Sequence, residues 1–169
     1  MPSTRFDYCN VANNWLRTSS SPYRPSILYL MASFVNDAAH ENKLTASVIE
    51  KEIAGFGPRG STPSVLLQEL DEAIMTLDIP RTTALANAYL QSGADRKSYQ
   101  ETVALAACRF QDDPHNQKIT ISSFEEYDHN STHLRDRLLL AAARQLAGWV
   151  KMPGERDCYA RFMKEWISN

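Results

Sequence analysis

Three of the chain's four histidines, His115, His129 and His133, fall in one stretch with Asp112, Asp113, Glu125, Glu126 and Asp128. Imidazole and carboxylate groups ligate divalent metals and move protons near neutral pH. A single cluster is the first thing such a stretch suggests, but helix geometry divides it. If residues 114–128 form a helix, His115 and His129 stand roughly 20 Å apart at about 1.5 Å of rise per residue. Two separate candidate sites follow, one at each end.

The first pairs Cys108, in the last turn of a preceding helix, with His115 at the start of the next. Unpaired N–H groups at a helix N-terminus favour a thiolate and a neutral imidazole, and a Cys–His pair so placed can do nucleophilic chemistry. The plainer reading is preferred. An aspartate (Asp112 or Asp113) caps the helix, Pro114 starts it, His115 is solvated and Cys108 packs in an alanine-rich core.

The second candidate is a metal site of His129, His133 and Glu126. Four-residue spacing puts two ligands on one helix face, and the carboxylate completes a donor set for a divalent ion. Against this, Asn130-Ser131-Thr132 has the composition of a helix cap, so the pair straddles a boundary. A solvated polar turn is the preferred reading here too. If the helices form antiparallel hairpins, Asp95, Arg96 and Lys97 lie beside this turn.

Weaker features surround these. The Gly57–Thr62 loop offers glycines, an arginine and a following helix start, but lacks the strand that phosphate-binding loops require. A plain linker is expected. Helices on either side of it mimic a helix-turn-helix, yet the second carries Glu69, Asp71 and Glu72 and no cation, so no nucleic acid is expected as partner. His40 suits a helix C-terminus, and Tyr159, Phe162 and Trp166 suit a core-docking face of the last helix.

The elements that must position these residues read as helical throughout. Starts and stops are marked by Thr4, Pro25, Thr45, Thr62-Pro63, Pro80, Gly93, Asp95, Asp112/Asp113, Ser131/Thr132 and Pro153-Gly154. Between them, apolar residues recur at three- and four-residue spacing, as in Ile27–Val35 and Leu66–Leu77. Strand-like alternation and hairpin dipeptides are lacking. The least helical stretch is Ile119-Thr120-Ile121-Ser122, because β-branched residues disfavour helix. The expectation is an all-α fold: one domain spanning 1–169, a bundle or stack of about nine short helices in antiparallel hairpins, with a flexible loop near 57–63.

Composition narrows the class. Hydrophobic residues make up 43% and charged residues 22%, values of a globular chain, and the net charge is −2. Three scattered cysteines suggest neither a disulfide framework nor a zinc ribbon. No apolar run approaches the ~20 residues of a membrane span, and the N-terminus lacks a signal-peptide pattern. A cytoplasmic protein without a membrane partner is expected.

These features favour a helical protein-interaction module, an adaptor, scaffold or regulator that binds another protein or itself. The alternative is a small all-α enzyme or ligand-binding protein, metal-dependent in one form, acting on a small molecule near His129/His133/Glu126 or Cys108/His115. An exposed apolar patch favours the first; convergence of either residue set on a cavity favours the second.

Overall fold

The computed structural model describes residues 2–42, 47–55, 61–110, 115–148 and 163–167, and every regular element among them is helical. The all-α expectation is met. The chain resolves into two compact units, Met1–Ala46 and Ser47–Asn169. The flexible loop expected near 57–63 falls in the second unit's residue range, and its residues 57–60 lie outside the described residues.

In the first unit α1 (Pro2–Thr18) packs against α2 (Ile27–Asn42). A short connection makes them a helical hairpin. The polar run that breaks α1 is itself organised. Ser19 Oγ accepts from Ser21 N–H at 3.1 Å and Ser21 Oγ from Tyr23 N–H at 3.2 Å, while Arg24 Nη1 donates to Ser19 O at 3.0 Å. Pro25 belongs to a 3₁₀ turn, Arg24–Ser26, just before α2 rather than to α2 itself. Across the hairpin Tyr8 stacks on Phe34 with ring centroids 5.3 Å apart. Among the described side chains here only Asn10 and Ala12 are buried.

The second unit contains α3 (Ser47–Gly55), α4 (Pro63–Met75), α5 (Ile79–Gln91), α6 (Arg96–Arg109), α7 (His115–His129) and α8 (Asp136–Gly148). Thr62 caps α4 by accepting from Val65 N–H, with Pro63 in the first turn. Leu66, Leu70, Ala73 and Ile74 form its buried stripe. Pro80 does not close α4. That helix ends in a Schellman turn: Asp78 N–H reaches Ala73 O and Leu77 N–H reaches Ile74 O, both at 3.0 Å, with Leu77 left-handed at φ 59°. Asp78 then caps α5 through Arg81 N–H, and Pro80 sits in the first turn of α5.

Helix α8 is the hub, packing against α4, α5, α6 and α7. Its buried face is Leu139, Leu140, Ala142, Ala143, Leu146 and Ala147, and the alanines let neighbouring backbones come close. Burying each leucine contributes roughly 1.5–3 kcal/mol. The same core takes Leu85, Tyr89, Tyr99, Val103, Phe110 and Tyr127 from α5, α6, the residue after α6, and α7. Tyr99 is fully buried and donates to Leu139 O at 3.0 Å; Tyr89 donates to Asp95 O at 2.8 Å. The β-branched stretch of α7 is helical after all. Ile119 and Thr120 face inward, with Thr120 Oγ1 bonded to Asn116 O at 2.7 Å, and packing overrides propensity.

Of the expected last helix, Met163–Ile167 is described, as a π-helical turn. Trp166 there is 74% exposed, not docked on the core; Tyr159 and Phe162 lie outside the described residues.

Candidate functional site

The α6–α7 connection holds the first candidate pair. Asp95 caps α6 by accepting from the Ser98 backbone N–H and hydroxyl, each at 2.8 Å. The backbone N–H bond from Ser98, foremost, holds the Asp95 carboxyl below the usual aspartate value. The buried face of α6, Tyr99, Val103, Ala106 and Ala107, continues into Phe110. One step past Ala107 turns a side chain about 100° away from that face. Cys108 is therefore exposed, contrary to the expectation of core packing. His115 opens α7 and is half-buried. The expected caps Asp112 and Asp113, with Pro114, lie outside the described residues.

What fastens this connection is a residue the sequence did not single out. The Gln117 amide donates to Ala107 O at 3.0 Å and to Phe110 O at 3.1 Å. It thus ties carbonyls at the end of α6 to the first turn of α7. Beside it, Arg109 reaches Asp71 of α4 with Nη1–O distances of 2.8 and 3.1 Å.

At the other end of α7, His129 is the last helical residue, with Nδ1 2.7 Å from Glu125 O. His133 sits beyond, in an exposed turn closed by Arg135 N–H to Thr132 O. Asn130 Oδ1 accepts from Thr132 N–H at 2.8 Å, so the cap-like residues build a turn, and α8 begins only at Asp136. Glu126 is half-buried on α7. Among the described residues no group of three or more His, Cys, Asp or Glu side chains is placed to hold a metal ion. His129, His133 and Glu126 are not gathered into one, because a helix end and a turn separate the two rings.

The start of α6 does lie beside this turn, as antiparallel hairpins require, and Arg96 makes the junction. Its Nη1 donates to Ala94 O and its Nη2 to Leu90 O, both at 2.7 Å, and Nη2 also meets Asp136 Oδ2 at 2.7 Å. Burial, the largest single influence, works against the Arg96 charge, but the Asp136 hydrogen bond and charge together with Tyr127 outweigh it, so the guanidinium holds its proton more firmly than usual. Nearby, the Arg135 guanidinium lies 4.7 Å from the centroid of the Tyr127 ring.

These bonds stabilise the fold, and exposed apolar surface is found elsewhere on the molecule. The first unit is the richest part of it. On α1, Tyr8, Val11 and Trp15 recur at three- and four-residue spacing and are all exposed. On α2 Leu28 and Val35, one heptad apart, are 53% and 61% exposed, and Tyr29 is 83% exposed. Among the described residues, no helix is long and apolar enough to cross a membrane. Comparison with known proteins finds no matching family model, no matching curated protein and no matching solved structure.

Proposed function

We propose that this chain is a helical protein-interaction module, engaging another protein or a second copy of itself through the apolar surface of α1 and α2. The observation that carries the reading is the imbalance within the first unit. Ala12 is its one buried hydrophobic residue among the described side chains, while Tyr8, Val11, Trp15, Tyr23, Leu28, Tyr29, Leu30 and Val35 are exposed. A hairpin of this size gains little stability from its own core. Apolar residues exposed in this proportion support a protein-contact reading, and tyrosine and tryptophan are enriched at such interfaces.

The test is association measured by sedimentation velocity and crosslinking, for the wild-type chain and for Leu28→Asp/Val35→Asp. Helix content is checked by circular dichroism. The module reading expects complexes that disappear in the variant while helicity stays. Unchanged complexes in a folded variant, or none from the wild type with itself or its co-purified proteins, would count against it.

A further inference from the structure

We infer that α3 is a detachable strap, latched by Glu52 to Arg144 and Thr83 and able to open while the rest of the second unit stays folded. Helices α4 to α8 each bury several side chains, but none of the described side chains of α3 is buried. Val48 and Ile49 face out, and Ile53 alone packs partly against the core. Apolar contact therefore holds α3 weakly, although it lies along α5. At nine residues it is also too short to persist as a helix by itself.

What holds it is polar and concentrated on one residue. Arg144 Nε donates to Glu52 Oε2 at 2.9 Å and Nη2 to Oε1 at 2.8 Å, a two-pronged grip. The Thr83 hydroxyl lies 2.8 Å from Oε2 and 2.8 Å from Ile79 O, and its single hydrogen is shared between them. The Glu52 side chain is 12% exposed, the deepest-set of the pair. Arg144 and Thr83 belong to α8 and α5, which place Leu139, Leu146, Leu85 and Tyr89 in the core. Among the described residues, opening of α3 breaks the Glu52 contacts and the partial packing of Ile53 without withdrawing a buried side chain, which is the profile of a low-energy local unfolding unit. It uncovers a surface on α5 and α8 fitted to a carboxylate-bearing helix, the occupant in the closed form being this chain's own α3.

Hydrogen–deuterium exchange on the full chain tests this, reading residues 51–55, whose N–H groups have helical partners, against the cores of α5 and α8. In the wild type, α3 amides should exchange at least about tenfold faster than those of α5 and α8. Glu52→Gln should speed α3 about tenfold more and leave α5 and α8 unchanged, since a charged grip becomes a neutral one. The charge-exchanged double variant Glu52→Arg/Arg144→Glu should slow α3 relative to either single change. Equal protection of α3 and α5 in the wild type overturns the inference. So does Glu52→Gln leaving α3 unaffected, or accelerating all helices in step.

Discussion

Arg96 and Asp136 are forty positions apart in sequence and meet at 2.7 Å, joining the turn between α5 and α6 to the first turn of α8. The two partners do not matter equally. Asp136 Oδ2 is one of three oxygens that Arg96 engages at 2.7 Å, the others being the Leu90 and Ala94 carbonyls. The Asp136 side chain is also the more exposed. Asp136→Ala should therefore cost about 0.5–1 kcal/mol, the range of a partly exposed ion pair. Arg96→Ala should cost about 2–3 kcal/mol, because it also leaves those carbonyls unpaired. Urea denaturation of both variants measures the difference; equal costs would mean that the carbonyl bonds contribute nothing.

Gln117 makes a similar prediction at the α6–α7 connection. Its amide donates to both Ala107 O and Phe110 O at the end of α6. Gln117→Ala should lower stability by about 1–2 kcal/mol. Gln117→Glu should do no better, since a carboxylate accepts where the carbonyls need a donor. Thermal unfolding of the two variants checks this. Full stability in Gln117→Glu would show that the amide hydrogens are not what matters.

The ends of α4 and α5 show which parts of this fold a sequence can disclose. Gly93 follows α5 at φ 75°, and a glycine after a helix is read easily because it enters the left-handed region without strain. Leu77 occupies the equivalent place after α4 at φ 59°, and nothing in a leucine announces that conformation. The visible proline, Pro80, was the natural but mistaken stop. Here the half-buried Leu77 side chain, packed against the core, offsets backbone strain of about 1–2 kcal/mol. A Cβ at Gly93 would meet nothing within 4 Å, so Gly93→Ala isolates the backbone effect and should cost about 1–2 kcal/mol. Leu77→Gly should be about 1–2 kcal/mol more stable than Leu77→Ala, since both lose the packing and only glycine relieves the strain. Melting temperatures that rank alanine above glycine at position 77 would contradict this.

Long-range pairings were hidden from the sequence for a different reason. Helix caps such as Thr62 and Asp95 act within three residues, whereas Glu52 and Arg144 are separated by 92 positions. The direction in which Cys108 points was equally illegible: in an alanine-rich helix the buried and exposed faces carry similar residues, so periodicity does not separate them. The sequence marks the start of α8 at Ser131/Thr132, and its later start at Asp136 is enough to leave His133 in a turn apart from His129.

The surface of the first unit yields a prediction with a built-in contrast. Leu28 and Val35 share a face of α2, whereas Ala12 lies buried within the unit. Leu28→Asp/Val35→Asp removes exposed apolar surface and should leave stability within about 0.5 kcal/mol, as surface changes do. Ala12→Leu places extra volume where space is already filled and should cost about 1–3 kcal/mol. Chemical denaturation compares them. A large loss in the aspartate variant would mean that Leu28 and Val35 are structural and not available to a partner.

The Glu52 latch gives the fold a defined response to acid. The Arg144 hydrogen bonds, foremost, hold the Glu52 carboxyl below the ordinary glutamate value; burial opposes them, and the Thr83 bond and the Arg144 charge reinforce them. Among the described residues, Arg144, on α8, is the charged group facing this carboxylate, and Thr83 on α5 is neutral. A carboxylate whose pKa is lowered by folding stabilises the folded state fully above its unfolded value, about 4.3. That contribution fades as pH falls through the folded value beneath it. Between pH 7 and 5 the wild type should hold a constant advantage over Glu52→Gln in urea midpoint and in α3 exchange protection. Below about pH 4 the advantage should shrink, because protonation makes the wild-type side chain neutral like the glutamine. An advantage that instead grew on acidification, or vanished already near pH 6, would assign the pH dependence to some group other than Glu52.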